Sequence, residues 1–175
     1  MKNKNMINVR IDKVTLNIGT GAPGERLENA KALLEKLSGS KAVVTKAHNR
    51  NPTFKIRKGD DIGTKVTLRK AKALDVLKRC LDAIDNSLSQ RNFDSTGNVS
   101  FGVKEYIDVP GIKYDPKIGM MGFDVCVTLS KPGIRIQRRR IEQTRIPKIQ
   151  RISKQEAIEY LKTIGATLKE EEVAQ

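Results

Sequence analysis

Gly19-x-Gly21-x-x-Gly24 is the first pattern in the chain able to do chemistry. It follows a strand-like run and opens a helix-like one. In that setting, backbone N–H groups hold a dinucleotide pyrophosphate. Pro23 removes one such amide. The next strand ends in Lys46-Ala47-His48, where the acidic ribose ligand of that arrangement is expected, about 20 residues on. Lys46 or Arg50 would suit an NADP variant; equally, the glycines let the backbone turn sharply or approach a partner closely. His48 is the single histidine, so a Cys–His or Ser–His pair needs it. Its basic surroundings point to a phosphate contact instead. Cys80 lies on an apolar helical stripe and reads as core. Cys126 sits on the polar parity of a strand, with no neighbour in sequence to activate it. Asp60-Asp61 follow Gly59 and read as loop-shaping residues. No catalytic group, metal or cofactor is expected.

Charge carries more information. The 175 residues hold 34 Lys+Arg against 20 Asp+Glu, a net of +14. Such an excess repels itself unless a polyanion neutralises it, and nucleic acid comes ahead of anionic membrane. The excess is uneven. Residues 131–154 carry nine basic residues and one acidic; residues 41–58 carry six basic and none acidic; the tail 169–175 is acidic. No apolar run reaches the roughly 18 residues of a membrane-spanning helix. No apolar stretch follows the first lysines, so a secretory leader is not expected. Two cysteines make neither a disulfide framework nor a structural zinc site, and a reducing cytoplasmic setting is the default.

The elements that must position these charges follow from periodicity. Residues 8–18 alternate with one phase slip near Asp12-Lys13, which a β-bulge absorbs. Leu27, Ala30, Leu33, Leu34 and Leu37 predict a helix over 25–38, closed by Gly39. Strands are predicted at 41–47 and 62–70. Ala73, Leu74, Leu77, Cys80, Leu81, Ile84 and Leu88 predict a helix over 71–90. Val99, Phe101 and Val103 alternate, as do Phe123 to Leu129, and Ile134 and Ile136 begin a further strand. A last helix opens on the capping box Ser153/Glu156. No repeat or low-complexity linker divides the chain, so residues 1–175 read as one domain. The β-α-β-β-α-β-β-β-α order is that of an α+β fold, an antiparallel sheet with helices packed on one face. The other face then presents Lys13, Thr15 and Asn17, Lys65, Thr67 and Arg69, and Ser100, Gly102 and Lys104. A polar, basic open sheet fits RNA, although any solvated sheet face alternates polar residues. The stretch 48–63 exceeds ordinary hairpin loops of about 2–5 residues. It carries His48, Arg50, Lys55, Arg57 and Lys58 around Phe54 and Ile56, as a phosphate-tracking protrusion or a mobile one.

Together the segments resemble the universal large-subunit ribosomal protein L-five family, in its archaeal and eukaryotic branch. The resemblance rests on Val14-Thr15-Leu16-Asn17-Ile18-Gly19-Thr20-Gly21, Val44-Thr45-Lys46-Ala47, Ile62-Gly63-Thr64-Lys65-Val66-Thr67-Leu68-Arg69, Gly97 to Glu105 and Gly122-Phe123-Asp124-Val125. Tyr114-Asp115-Pro116-Lys117-Ile118-Gly119 and Lys131-Pro132-Gly133 indicate the branch. The resemblance implies a non-enzymatic, cytoplasmic and ribosome-bound protein without cofactors. It implies binding of 5S rRNA in the central protuberance, beside other proteins there, and contact with large-subunit rRNA. It implies that the 48–63 loop meets peptidyl-site tRNA, and that another flank faces a small-subunit head protein across an intersubunit bridge. The family's specific rRNA contacts fall on Asn17, Ser40 and Thr67, with Lys13, Lys65 and Arg69 as flanking cations. Ser40 stands where bacterial members carry a longer amide.

Overall fold

The computed structural model describes residues 8–169. The N-terminal residues 1–7 and the acidic tail from 170 onward lie outside them. Strand β1 (Arg10–Gly19) shows the expected slip: its register with the later strand β6 (Phe123–Ser130) shifts between Ile11 and Lys13. Beyond the bulge, Val14, Leu16 and Ile18 are buried while Lys13, Thr15 and Asn17 remain half-exposed. β2 (Val43–Lys46), β3 (Asp61–Leu68) and β5 (Val99–Val103) complete a five-stranded, fully antiparallel sheet. Its order is β2-β3-β1-β6-β5.

Helices α1 (Glu25–Ser38) and α2 (Lys70–Asp82) cover one side of this sheet, α1 over β3 and α2 over β1. Leu27, Ala30, Leu33, Leu34 and Leu37 of α1 are all buried, and Gly39 ends the helix at φ 57°. Few side chains accept that left-handed conformation without strain. Helix α4 (Lys154–Ile164) adds Ala157 and Leu161 to the same core, behind the Ser153/Glu156 capping box.

Three expectations need correction. The predicted helix 71–90 ends at Asp82. Asp85 and Asn86 take φ of 53° and 56°, a conformation that Asx side chains tolerate and that stops a helix. Leu88 is buried, but on a short strand, β4 (Ser87–Ser89), which pairs in parallel with β7 (Thr167–Lys169). Leu74, placed on the apolar stripe, is exposed; Val76 fills the core instead. The strand expected at Ile134 and Ile136 is a single helical turn, α3 (Arg135–Arg138). β6 already has β1 and β5 as neighbours, so the chain leaving it finds no vacant ladder there.

The basic segment 131–154 is folded back by specific contacts. Gln150 Nε2 donates to Pro132 O at 3.0 Å. Lys131 is buried, and its ammonium reaches both Glu156 oxygens at 2.7 and 2.8 Å and Arg151 O at 3.3 Å. Lys131 is therefore an internal cation, not part of a surface footprint. Burial alone would raise the Glu156 carboxyl. Hydrogen bonds from Lys131 and the Ser153 N–H outweigh that and hold it below the ordinary range. A carboxylate favoured by the fold stabilises it above the unfolded value, and the contribution is lost as pH falls through the depressed folded value.

Glu156→Gln keeps the capping geometry but strands the Lys131 charge. In urea unfolding at pH 7 it should cost about 1.5–3 kcal/mol. Lys131→Met leaves the partly hydrated Glu156 with its Ser153 N–H partner and should cost less, about 1 kcal/mol. The wild-type loss of stability below about pH 4.5 should be shallower in Glu156→Gln.

Candidate nucleic-acid interface

Cross-strand partners lie on the same sheet face, roughly 5 Å apart. The registers therefore order the open face into rows. One row runs Thr67, Thr15, Cys126, Ser100. The next runs Val43, Lys65, Asn17, Asp124, Gly102. Beyond the first row Lys13 pairs with Thr128, and Arg69 follows directly on β3. Five of the six residues expected to touch rRNA are thus brought together: Lys13, Asn17, Lys65, Thr67 and Arg69. The side chains of Asn17, Lys65 and Thr67 have no hydrogen-bond or ion-pair partner among the described residues. They are therefore free to pair with a ligand.

Ser40 stands apart. It lies in the α1–β2 connection, where its hydroxyl accepts from Lys72 Nζ at 3.3 Å. The same ammonium caps Gly39 O at 3.4 Å. Sequence reasoning missed a further cation at the Lys13 end. Arg138 of α3 forks onto Asp12 at 2.7 and 3.2 Å. The hydrogen bond from Arg138 holds the Asp12 carboxyl below its usual range, with Lys13 and Arg69 adding to the field. No local signal links positions so distant in sequence.

At the far end of the sheet, Gly63 pairs with both Gly19 and Thr45. A Cβ on Gly63 would sit 2.6 Å from Ile18 O, so only glycine lets β3 pass β1 this closely. Of the 48–63 stretch, residues 61–63 already belong to β3, and the chain from 47 to 60 forms a doubly tied loop. Ala47 N–H donates to Asp60 O and Gly59 N–H to Ala47 O, closing its base. Asn51 and Ile56 exchange backbone bonds of 2.9 and 3.0 Å near its tip. Asp60 Oδ2 accepts from the Arg57 N–H at 2.7 Å, the loop-shaping role read from its position. His48, Arg50, Lys55, Arg57 and Lys58 are all exposed, and Phe54 is 70% exposed at the tip.

The glycine pattern after β1 makes no phosphate cradle. The Thr20 and Gly21 amides both donate to Ile62 O at 3.0 Å. β1 and β3 run antiparallel, unlike the parallel strands of a dinucleotide fold. Burial pushes the Cys80 thiol up to about 12, which leaves it inert. Cys126 is exposed; partial burial and the Asp124 charge raise its thiol as well. No described helix is long and apolar enough to cross a membrane.

Residues 4–57 match the family described as "Ribosomal protein L5", and residues 61–160 match the model of the same ribosomal family's C-terminus. The chain belongs to the ribosomal protein L5 family. Curated relatives agree over nearly full length. The large ribosomal subunit protein uL5 of Pyrobaculum aerophilum is 45% identical over 164 residues, 94% of this chain and 92% of the relative. That of Sulfurisphaera tokodaii is 48% identical over 158 residues, 90% and 89% of the two chains. That of Methanosphaera stadtmanae is 47% identical over 152 residues, 87% and 90%. L5 family members are structural proteins of the ribosome, not enzymes.

A thiol reagent should therefore modify Cys126 alone, and slowly, in the native protein. Cys80 should react only after denaturation. Mass spectrometry of the labelled peptides distinguishes the two.

Proposed function

We propose that this chain grips 5S rRNA through its open sheet face and holds it in the central protuberance of the large ribosomal subunit. The coarser statement follows from the family: the chain is a ribosome-bound, cytoplasmic structural constituent of the large subunit. One observation carries the finer reading. Free polar groups on Asn17 and Thr67 stand in adjacent rows, with Lys65 and Lys13 on the same two strands and Arg69 at the end. Cations fix the register of a phosphate backbone while short amides and hydroxyls read a 2′-OH or base edge. Phe101 is buried on the helix side, so this face does not work by aromatic stacking as an RRM sheet does.

In this reading Ser40 meets RNA away from the face, as a pair with Lys72, and large-subunit rRNA is the partner that this second place suits. The loop meets peptidyl-site tRNA. His48, Arg50, Lys55, Arg57 and Lys58 contact phosphates without reading sequence, which suits a site that must accept every tRNA. Neighbouring protuberance proteins and a small-subunit head protein, across an intersubunit bridge, belong to the same reading through the family resemblance.

Asn17→Ala and Thr67→Ala should each weaken 5S rRNA binding by about 1–3 kcal/mol in a gel-shift titration, with thermal melting unchanged. Equal affinity of both variants and the parent would remove the sheet face from the interface.

Replacing residues 50–58 by a short Gly-Ser linker should leave 5S rRNA affinity intact. Ribosomes carrying it should bind peptidyl-site tRNA more weakly, with little preference among tRNA species. Loss of 5S rRNA affinity in a folded variant would instead place the loop against rRNA.

A further inference from the structure

A carboxylate shares the open sheet face with its cations, on the β6 side of it. Asp124 is the direct cross-strand partner of Asn17, and it is exposed. It has no hydrogen-bond or ion-pair partner among the described residues. A free negative charge at this place opposes any phosphate that Lys65 attracts from two strands away. It costs affinity for nucleic acid in general unless it meets hydrogen-bond donors. On RNA those donors are the ribose 2′-OH, one at a time, and the amino and imino groups of bases, which alone come as an adjacent pair.

The residue beside it is the second, independent observation. Gly102 pairs with Asp124 on the other side and is exposed in mid-strand. A glycine there weakens a strand, and this one has no internal reason to exist. Its φ is not among the positive values of the chain. A Cβ built on it would meet only Asp124 Oδ1, at an ordinary 3.7 Å. Bare backbone next to an unpartnered carboxylate makes a notch, open on the side where Asn17 supplies an amide.

We propose that Asp124 is a specificity-determining residue of the RNA face. It accepts the two adjacent N–H donors of a guanine Watson–Crick edge, with the base lying across Gly102. A carboxylate offers two acceptors side by side, and guanine N1–H and N2–H are the matching parallel donors. Adenine and uracil present an acceptor where one of those donors would be, so they are rejected. Phosphate is repelled. The carboxylate thus lowers unspecific binding and raises specific binding at once. This inference rests on the 5S rRNA reading above.

The test uses the full chain, the host's 5S rRNA and an unrelated structured RNA of equal length. Asp124→Asn keeps the shape and removes the charge. It should weaken 5S rRNA binding roughly tenfold or more, while the unrelated RNA binds equally or more tightly. Gly102→Ala should weaken 5S rRNA binding several-fold, leave unrelated RNA unchanged and leave the melting temperature unchanged or higher. Inosine lacks the 2-amino donor; scattered through the 5S transcript in place of guanosine, it should interfere with binding of the parent at one or a few positions. Asp124→Asn should no longer sense those positions. A parent with no preference for 5S rRNA would overturn the functional reading itself. A parent that keeps its preference, while Asp124→Asn tightens both RNAs alike or inosine interferes nowhere, would overturn the guanine contact alone.

Discussion

Every strand of a one-sided sheet has a single covered face, and β1 feels this most because it lies at the centre. Val14, Leu16 and Ile18 must go beneath α1 and α2, since no other apolar surface is available to them. A period of two then leaves no choice about Thr15 and Asn17. They are turned outward by the same burial that stabilises the domain. The open polar face is thus the complement of the core. A one-residue slip in β1 would bury Asn17 and expose leucine, and the fold and the proposed RNA face would fail together. The bulge after Ile11 is the one slip tolerated, and it sits at the edge of the face, where Asp12 is turned aside to hold Arg138.

Much of this was legible because alternation and helical stripes are local. β1 with its bulge, α1 with its Gly39 stop, β3, β5, β6 and the capping box of α4 all follow from patterns within a few residues. The misreadings share a different cause. Leu88 is apolar at a position compatible with a helix, and only the Asp85-Asn86 break shows that the period has changed. Ile134 and Ile136 alternate well enough for a strand, but pairing depends on which sheet edges remain vacant. That is a property of the whole topology. The parallel pairing of β4 with β7 had no visible sign for the same reason.

The placement of the candidate site residues was legible to a similar depth. Parity alone gathered Lys13, Asn17, Lys65, Thr67 and Arg69. Charge counting was a poorer guide, because it cannot tell a cation that meets solvent from one that meets a carboxylate. Lys131 and Arg138 both count toward the basic segment, yet one is buried against Glu156 and the other is forked onto Asp12. Cations engaged in this way still contribute field, but they are not free to follow a phosphate chain. The segment therefore presents a more ordered surface than its composition suggests.

The strand order has a consequence for how such a surface comes into being. A chain emerging from its own synthesis machinery delivers β1 first and β6 much later, yet the two are neighbours. β3 can fold onto β1 early, so half of the central row exists while the rest is still being made. The other half, Asp124 and Gly102, arrives only with β5 and β6. A nascent chain carries its positive charge from the start, amid abundant RNA, but lacks the strands that complete the rows of the open face. Long-range pairing is slow to form. On the proposed RNA reading, that slowness defers selective capture until β5 and β6 have been released.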